Sequence, residues 1–136
     1  MLVSTKGRYA LRVLIVLAER GKHFTPLKDI AALEEISEKY LESILVLLTK
    51  VGILEGLRGK GGGYRLSAPP TEITVGKILK VVEGSLAPVA WLANPIRGCG
   101  NEDDCKTRPM WIKLDKMIET FFEGITLQDL VNGIDL

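Results

Sequence analysis

The chain has 136 residues, 18 Lys and Arg against 17 Asp and Glu, a formal net charge of +1, and 46% apolar and 26% charged side chains. That length holds one domain, or one small domain with an appended element, and excludes a two-domain enzyme, while the composition excludes disorder and low complexity. No apolar run approaches the roughly 18 residues of a membrane span, and Met1-Leu2-Val3-Ser4 does not open a signal peptide, so a soluble cytoplasmic protein with no membrane partner is expected.

In chain order, Tyr9, Leu11, Leu14, Ile15 and Leu17-Ala18 recur at helical spacing and predict a helix over Thr5–Ala18, with Gly21 as its stop. Thr25-Pro26 opens a second helix from Leu27 to about Leu33, because a proline in the first turn lacks an N–H that has no helical partner there anyway. A break at Glu34-Glu35-Ile36 follows. Ser37 stands at the N-cap of a third helix that runs to about Val51, Leu41, Ile44, Leu45 and Leu48 forming its apolar stripe and Gly52 its C′ residue. Ile53–Leu57 and Gly63–Leu66 read as strands, and the loop Arg58-Gly59-Lys60-Gly61-Gly62 between them spells a hairpin.

Pro69-Pro70 closes a first unit over residues 1–70, leaving 71–136 as a second with no separate linker. In it, Thr74 caps a helix over Val75–Val82, residues 85–105 read as irregular, and Thr107–Phe122 forms a long amphipathic helix with Trp111, Leu114, Met117, Ile118, Phe121 and Phe122 on its apolar side. Thr126-Leu127-Gln128-Asp129 is a capping-box variant that opens a last short helix.

The small net charge hides an asymmetry. Residues 1–66 carry 11 basic and 7 acidic side chains, net +4, against 7 basic and 10 acidic over 67–136, net −3. A basic N-terminal half favours a polyanion only weakly, since a solvated face has the same look. With one histidine, His23 in a polar loop, and two cysteines, His-based catalysis and a disulfide scaffold are both excluded.

Three helices, a tight break between the last two and a glycine-rich hairpin follow the order of a winged helix-turn-helix. The expected fold is therefore mainly α with one small β-hairpin, ending in a long C-terminal helix that is expected to serve dimerisation because its Trp, Met and Phe side chains exceed what so short a C-terminal half can bury. Such a fold needs a third helix that packs one apolar stripe and offers a polar face to the major groove. Ser37, Glu38, Lys39, Glu42 and Ser43 lie away from the apolar stripe, and Arg58 and Lys60 flank the hairpin where groove or phosphate contacts place cations. Gly59 to Gly63 fits no nucleotide loop: no Ser or Thr follows Lys60, the third glycine of a dinucleotide fingerprint is Tyr64, and a strand follows instead of a helix.

Ser4-Thr5-Lys6-Gly7-Arg8-Tyr9-Ala10, Ile36-Ser37 with Tyr40-Leu41-Glu42, and Arg58-Gly59-Lys60-Gly61-Gly62-Gly63-Tyr64-Arg65-Leu66 together resemble the Rrf2 family of bacterial transcription regulators. The likeness continues through Thr74-Val75-Gly76, Cys105-Lys106-Thr107-Arg108 with Trp111, and Ile125-Thr126-Leu127. It implies a homodimer joined through the long C-terminal helix, with the recognition helix in the major groove of double-stranded DNA and the wing in the minor groove. By position, Ser37, Lys39, Tyr40, Glu42, Ser43 and Arg58 match the family's DNA-contacting residues, and Gly59, Lys60, Gly61 and Gly62 its wing. Leu47 and Thr49 replace basic residues common late in the recognition helix, so fewer phosphate contacts are expected there, and Val46 and Leu47 are left exposed unless something covers them.

The resemblance also implies a cofactor, an iron–sulfur cluster of the 2Fe-2S or 4Fe-4S type held by cysteines at C-x5-C-x5-C and a variable fourth ligand. Cys99 and Cys105 stand at the last two positions; Ala93 occupies the first, and arginines (Arg108, Arg8 and Arg12) occupy the family's sites for the fourth. A guanidinium offers no lone pair to a metal. Three readings stay open: a cluster-free version of a cluster-binding regulator, a reversible Cys99–Cys105 disulfide, or cysteines that are inert or share a metal with Glu102 and Asp103. A regulator controlled by a partner protein is the competing class. Nothing in the chain supports an enzyme.

Overall fold

The computed structural model describes residues 3–93 and 106–135. Helix α1 spans Thr5–Arg20, and the Ser4 side chain accepts a hydrogen bond from the Gly7 N–H at 3.2 Å to cap it. Helix α2 spans Leu27–Glu34 and α3 spans Glu38–Lys50. Between them the chain turns at Glu35, whose left-handed conformation (φ 54°) brings the Ile36 N–H back onto the Ala31 carbonyl at 3.2 Å, which the Glu35 N–H also bonds. This is the αL closure usually given to glycine.

Strands β1 (Leu54–Leu57) and β2 (Gly63–Leu66) pair antiparallel, with Leu54 opposite Leu66 and Leu57 opposite Gly63. A 3₁₀ turn over Pro70–Glu72 leads to α4 (Val75–Glu83), followed by the single-turn helix α5 (Ala90–Ala93), the long helix α6 (Arg108–Glu123) and α7 (Leu127–Asn132). The capping box expected at Thr126 is present, Thr126 and Asp129 each accepting from the other's backbone N–H.

One hydrophobic cluster fills the space between α1, α2, α3 and the hairpin, with Leu14, Leu17, Ile30, Leu41, Ile44 and Leu45 fully buried in it. Ile78 of α4 and Leu127 of α7 belong to the same cluster, so the second half of the chain completes the core of the first. A smaller cluster of Val75, Leu79, Leu86 and Ile125 lies beneath α6, touched by Ile118 and Phe122.

The structure corrects several sequence expectations. Helix α1 runs two residues beyond Ala18, since nothing before Gly21 stops it. Part of the segment expected to be irregular is helical at Ala90–Ala93, where the Leu92 and Ala93 N–H groups both bond the Val89 carbonyl and alanine and leucine favour a helical turn. Val46 is 53% exposed as expected, but Leu47 is half-buried. No described helix is long and apolar enough to cross a membrane.

Candidate nucleic-acid interface

The candidate surface begins at Ser37, the N-cap of α3. Its Oγ accepts the Tyr40 N–H at 3.1 Å, satisfying one of the free donors of the first turn of α3. Leu41, Ile44, Leu45 and Leu48, all fully buried, then fix the roll of α3 about its axis. The face left outward carries Lys39, Glu42 and Ser43, each exposed. Neither Lys39 nor Glu42 makes an ion pair among the described residues, so both charges are available to a partner. The Ser43 hydroxyl donates to the Tyr40 carbonyl at 2.6 Å, and the residue is exposed.

Tyr40 departs from the other candidates. It is half-buried, its ring edge-to-face with Tyr9 of α1 at 6.0 Å, so much of its side chain packs α3 onto α1. Tyr9 in turn carries the Arg12 guanidinium 5.2 Å from its ring centre. Arg12 Nε stands 2.7 Å from Glu34 Oε2, an ionic contact out of line for a hydrogen bond that meets the charge of a shielded carboxylate. Both ends of the turn between α2 and α3 are thus held on α1. Sequence reading missed this clamp because Arg12 and Glu34 lie 22 positions apart with no motif joining them.

The wing is shaped by its glycines. The Gly62 N–H bonds the Gly59 carbonyl at 3.0 Å across a turn with Lys60 and Gly61 at its centre, and Gly61 takes φ +77°, which a side chain would strain. Gly63 permits a close approach of a different kind. A Cβ there would run into the Thr25 carbonyl, and instead Thr25 and Tyr64 exchange two backbone hydrogen bonds of 2.9 Å each. That bridge fastens the wing to the segment before α2.

Arg58 and Lys60 are exposed at the wing tip, with no ion pair among the described residues. Arg65 is committed internally: it pairs with Glu55 at 2.9 Å, donates to the Lys22 carbonyl at 3.1 Å and stacks 4.2 Å from the Phe24 ring centre. Two unpaired cations at the wing and an outward polar stripe on α3 therefore project from one core. His23 is exposed, consistent with a solvated loop.

The cluster ligands are a separate matter. Cys99 and Cys105 lie outside the described residues. Ala93 ends α5 with an exposed methyl group, and Arg108 holds its guanidinium 5.5 Å from the Trp91 ring centre. Arg8 donates to Thr5 Oγ1 at 3.2 Å, and Arg12 is engaged with Glu34. No group of three or more His, Cys, Asp or Glu side chains is placed to hold a metal among the described residues. At the positions where the family pattern puts a first cysteine and a fourth ligand, the described side chains do not fit an iron–sulfur cluster.

Comparison with known proteins agrees with this geometry. The family model Rrf2, described as iron-dependent transcriptional regulators, matches residues 3–133. The chain is 36% identical over 136 residues to the HTH-type transcriptional regulator CymR of Bacillus subtilis, covering 99% of this chain and 93% of that protein. It is also 36% identical over 132 residues to the HTH-type transcriptional regulator IscR of Aliivibrio salmonicida, covering 96% and 77%. The solved structure of B. subtilis CymR, described as the global cysteine regulator, superposes with a TM-score of 0.81 at 35% identity over 99% of both chains. These relatives are transcriptional regulators and not enzymes. The chain belongs to the Rrf2 family of DNA-binding transcriptional regulators, and its hairpin is the wing of that fold.

Proposed function

We propose that the chain acts as a homodimer that reads a two-fold symmetric duplex, α3 of each protomer entering a major groove and each wing approaching the adjacent minor groove. The observation that carries this reading is the shared outward projection of Lys39, Glu42 and Ser43 on α3 and of Arg58 and Lys60 on the wing. Cations at the wing tip suit phosphates or a narrow minor groove, and the Glu42 carboxylate, on the same face of α3 as Lys39, suits the exocyclic amino group of a base. Ser37, at the helix start, and Tyr40, packed on Tyr9, orient the helix for these contacts. The wing glycines Gly59, Gly61 and Gly62 keep its backbone thin enough to approach the duplex.

Two protomers are assigned because α6 leaves an apolar stripe uncovered. Met110, Leu114, Met117 and Phe121 recur every three or four residues along it and are 54, 36, 58 and 51% exposed. A second copy of the same helix covers such a stripe isologously. The expected motif from duplex selection on a random pool is a palindrome with half-sites about 10 base pairs apart. Phe121→Asp is expected to yield monomers by sedimentation and to abolish binding to that palindrome. Selection that enriches no motif would refute the reading.

For the signal, we assign a cluster-free redox response through Cys99 and Cys105, since Ala93 and Arg108 leave the ligand set incomplete. Oxidation by hydrogen peroxide would join the two thiols as a disulfide, their two hydrogens and two electrons reducing the hydrogen peroxide to two waters. Protein purified without oxygen is expected to be colourless, and double substitution Cys99→Ala/Cys105→Ala is expected to abolish the peroxide response. A brown sample would instead reveal a bound cluster. An unchanged response in the double variant would transfer control to a partner protein.

A further inference from the structure

The outward stripe of α3 has a fourth member that is not polar. From Lys39, the positions i, i+3, i+4 and i+7 are Lys39, Glu42, Ser43 and Val46, which share one face by helical geometry. Val46 is 53% exposed and belongs to neither hydrophobic cluster. About half of it stays open to solvent outside the core, and a β-branched residue is a slightly poor helix former. The buried stripe on the opposite face fixes the roll of α3, so wherever Lys39, Glu42 and Ser43 face, Val46 faces too.

We propose that Val46 is a specificity-determining residue that reads a thymine through its C5 methyl group. The inference rests on the reading of α3 as the recognition helix. Base pairs offer the major groove hydrogen-bonding groups and one apolar feature, the thymine methyl, so an apolar side chain on a groove-facing stripe has one favourable target. A helix lying along the groove reads bases with residues at this i, i+3, i+4, i+7 spacing. Val46 stands seven residues, about 10 Å, along the axis from Lys39, or roughly three base-pair steps at 3.4 Å each. The valine is suited to the contact because its β-branch holds one rotamer in a helix, so its methyl groups lose little freedom on binding.

The test uses the full chain and the duplex that it enriches from a random pool. Each thymine of that duplex is replaced in turn by deoxyuridine, which pairs identically and lacks only the 5-methyl group, and affinity is read by fluorescence anisotropy. One thymine per half-site is expected to weaken binding about fourfold when demethylated, the worth of one buried methyl group. Val46→Ala is expected to bind the intact duplex several-fold more weakly and to be indifferent to demethylation at that position. Its salt dependence should stay unchanged, because no phosphate contact is lost. An enriched duplex insensitive to every deoxyuridine would overturn the proposal while leaving the function standing, and so would a Val46→Ala protein with undiminished sensitivity. Equal weakening by Val46→Ala on enriched and unrelated duplexes would also overturn it. Failure to enrich any duplex would remove the proposed function and this inference together.

Discussion

The Thr74 hydroxyl, at the N-cap of α4, donates to Oε2 of Glu123, the last residue of α6, at 2.9 Å. The carboxylate fits there because Gly76 has no side chain; a Cβ at Gly76 would run into it. Nearby, the Val75 N–H bonds the Ile125 carbonyl at 2.9 Å and the Leu127 N–H bonds the Ile73 carbonyl at 2.8 Å. The far end of the proposed dimer helix is thus pinned to the start of α4, which itself packs on the core of the winged unit.

This arrangement sets two opposing effects at Gly76. Alanine stabilises a helix by about 0.5–1 kcal/mol over glycine, yet here it expels the Glu123 carboxylate and breaks its hydrogen bond, worth about 1 kcal/mol. Gly76→Ala alone is expected to change stability little, and the same change in a Glu123→Ala background to stabilise by the full helical gain. Urea unfolding of the four proteins of this cycle gives the coupling; strict additivity would show that Glu123 does not depend on the glycine.

Glu35 holds a left-handed conformation without the freedom of glycine. That conformation is strained by roughly 1–2 kcal/mol for an L-residue with a Cβ. Glu35→Gly is expected to raise stability by up to about 1 kcal/mol after the extra unfolded-state entropy of glycine is set against the relief. Thermal unfolding measures it, and a lower melting temperature would refute the claim.

Lys80 donates to Glu119 at 2.6 Å and lies 3.5 Å from Glu123. The Glu119 hydrogen bond is the largest cause holding the Lys80 amine above its ordinary 10.5, and the same bond from Lys80 holds the Glu119 carboxyl below 4.5. A lowered carboxyl contributes stability above its unfolded pKa and loses it as pH falls through the folded one; a raised amine contributes below its unfolded pKa and loses it as pH rises through the folded one. The pair therefore acts in full between about pH 4.5 and 10.5. Both groups are solvent-exposed, so the effect is small and screened. The stability difference between the parent and Glu119→Gln is expected to be greatest at neutral pH, to shrink toward either limit, and to shrink in high salt. A difference that grows on acidification would contradict the assignment.

On the wing, Arg58→Ala is expected to weaken specific binding several-fold and to lower the slope of log affinity against log salt by about 1, the signature of one lost phosphate contact. Arg65→Ala should act differently, since Arg65 is engaged with Glu55, Phe24 and the Lys22 carbonyl. It should lower stability and leave the salt slope as it is. Affinity titrations across a salt series separate the two.

The helices, the hairpin and the caps were legible in the sequence because their signals are local. Ser37, Thr74 and Thr126 cap bonds to N–H groups three residues away, and the stripe of Leu41, Ile44, Leu45 and Leu48 is a periodicity within one element. The polar face of α3 and the cations of the wing could be placed from that spacing. What only the tertiary structure decided are pairings between residues far apart in the chain, which no short-range pattern encodes. The bridge of Thr25 to Tyr64, the clamp of Arg12 on Glu34, the diversion of Arg65 from the wing surface and the packing of Tyr40 on Tyr9 all depend on which faces meet once the core closes. The exposure of Val46 was foreseeable from its helical position, but the covering of Leu47 was not, because it rests on how neighbouring elements pack around α3.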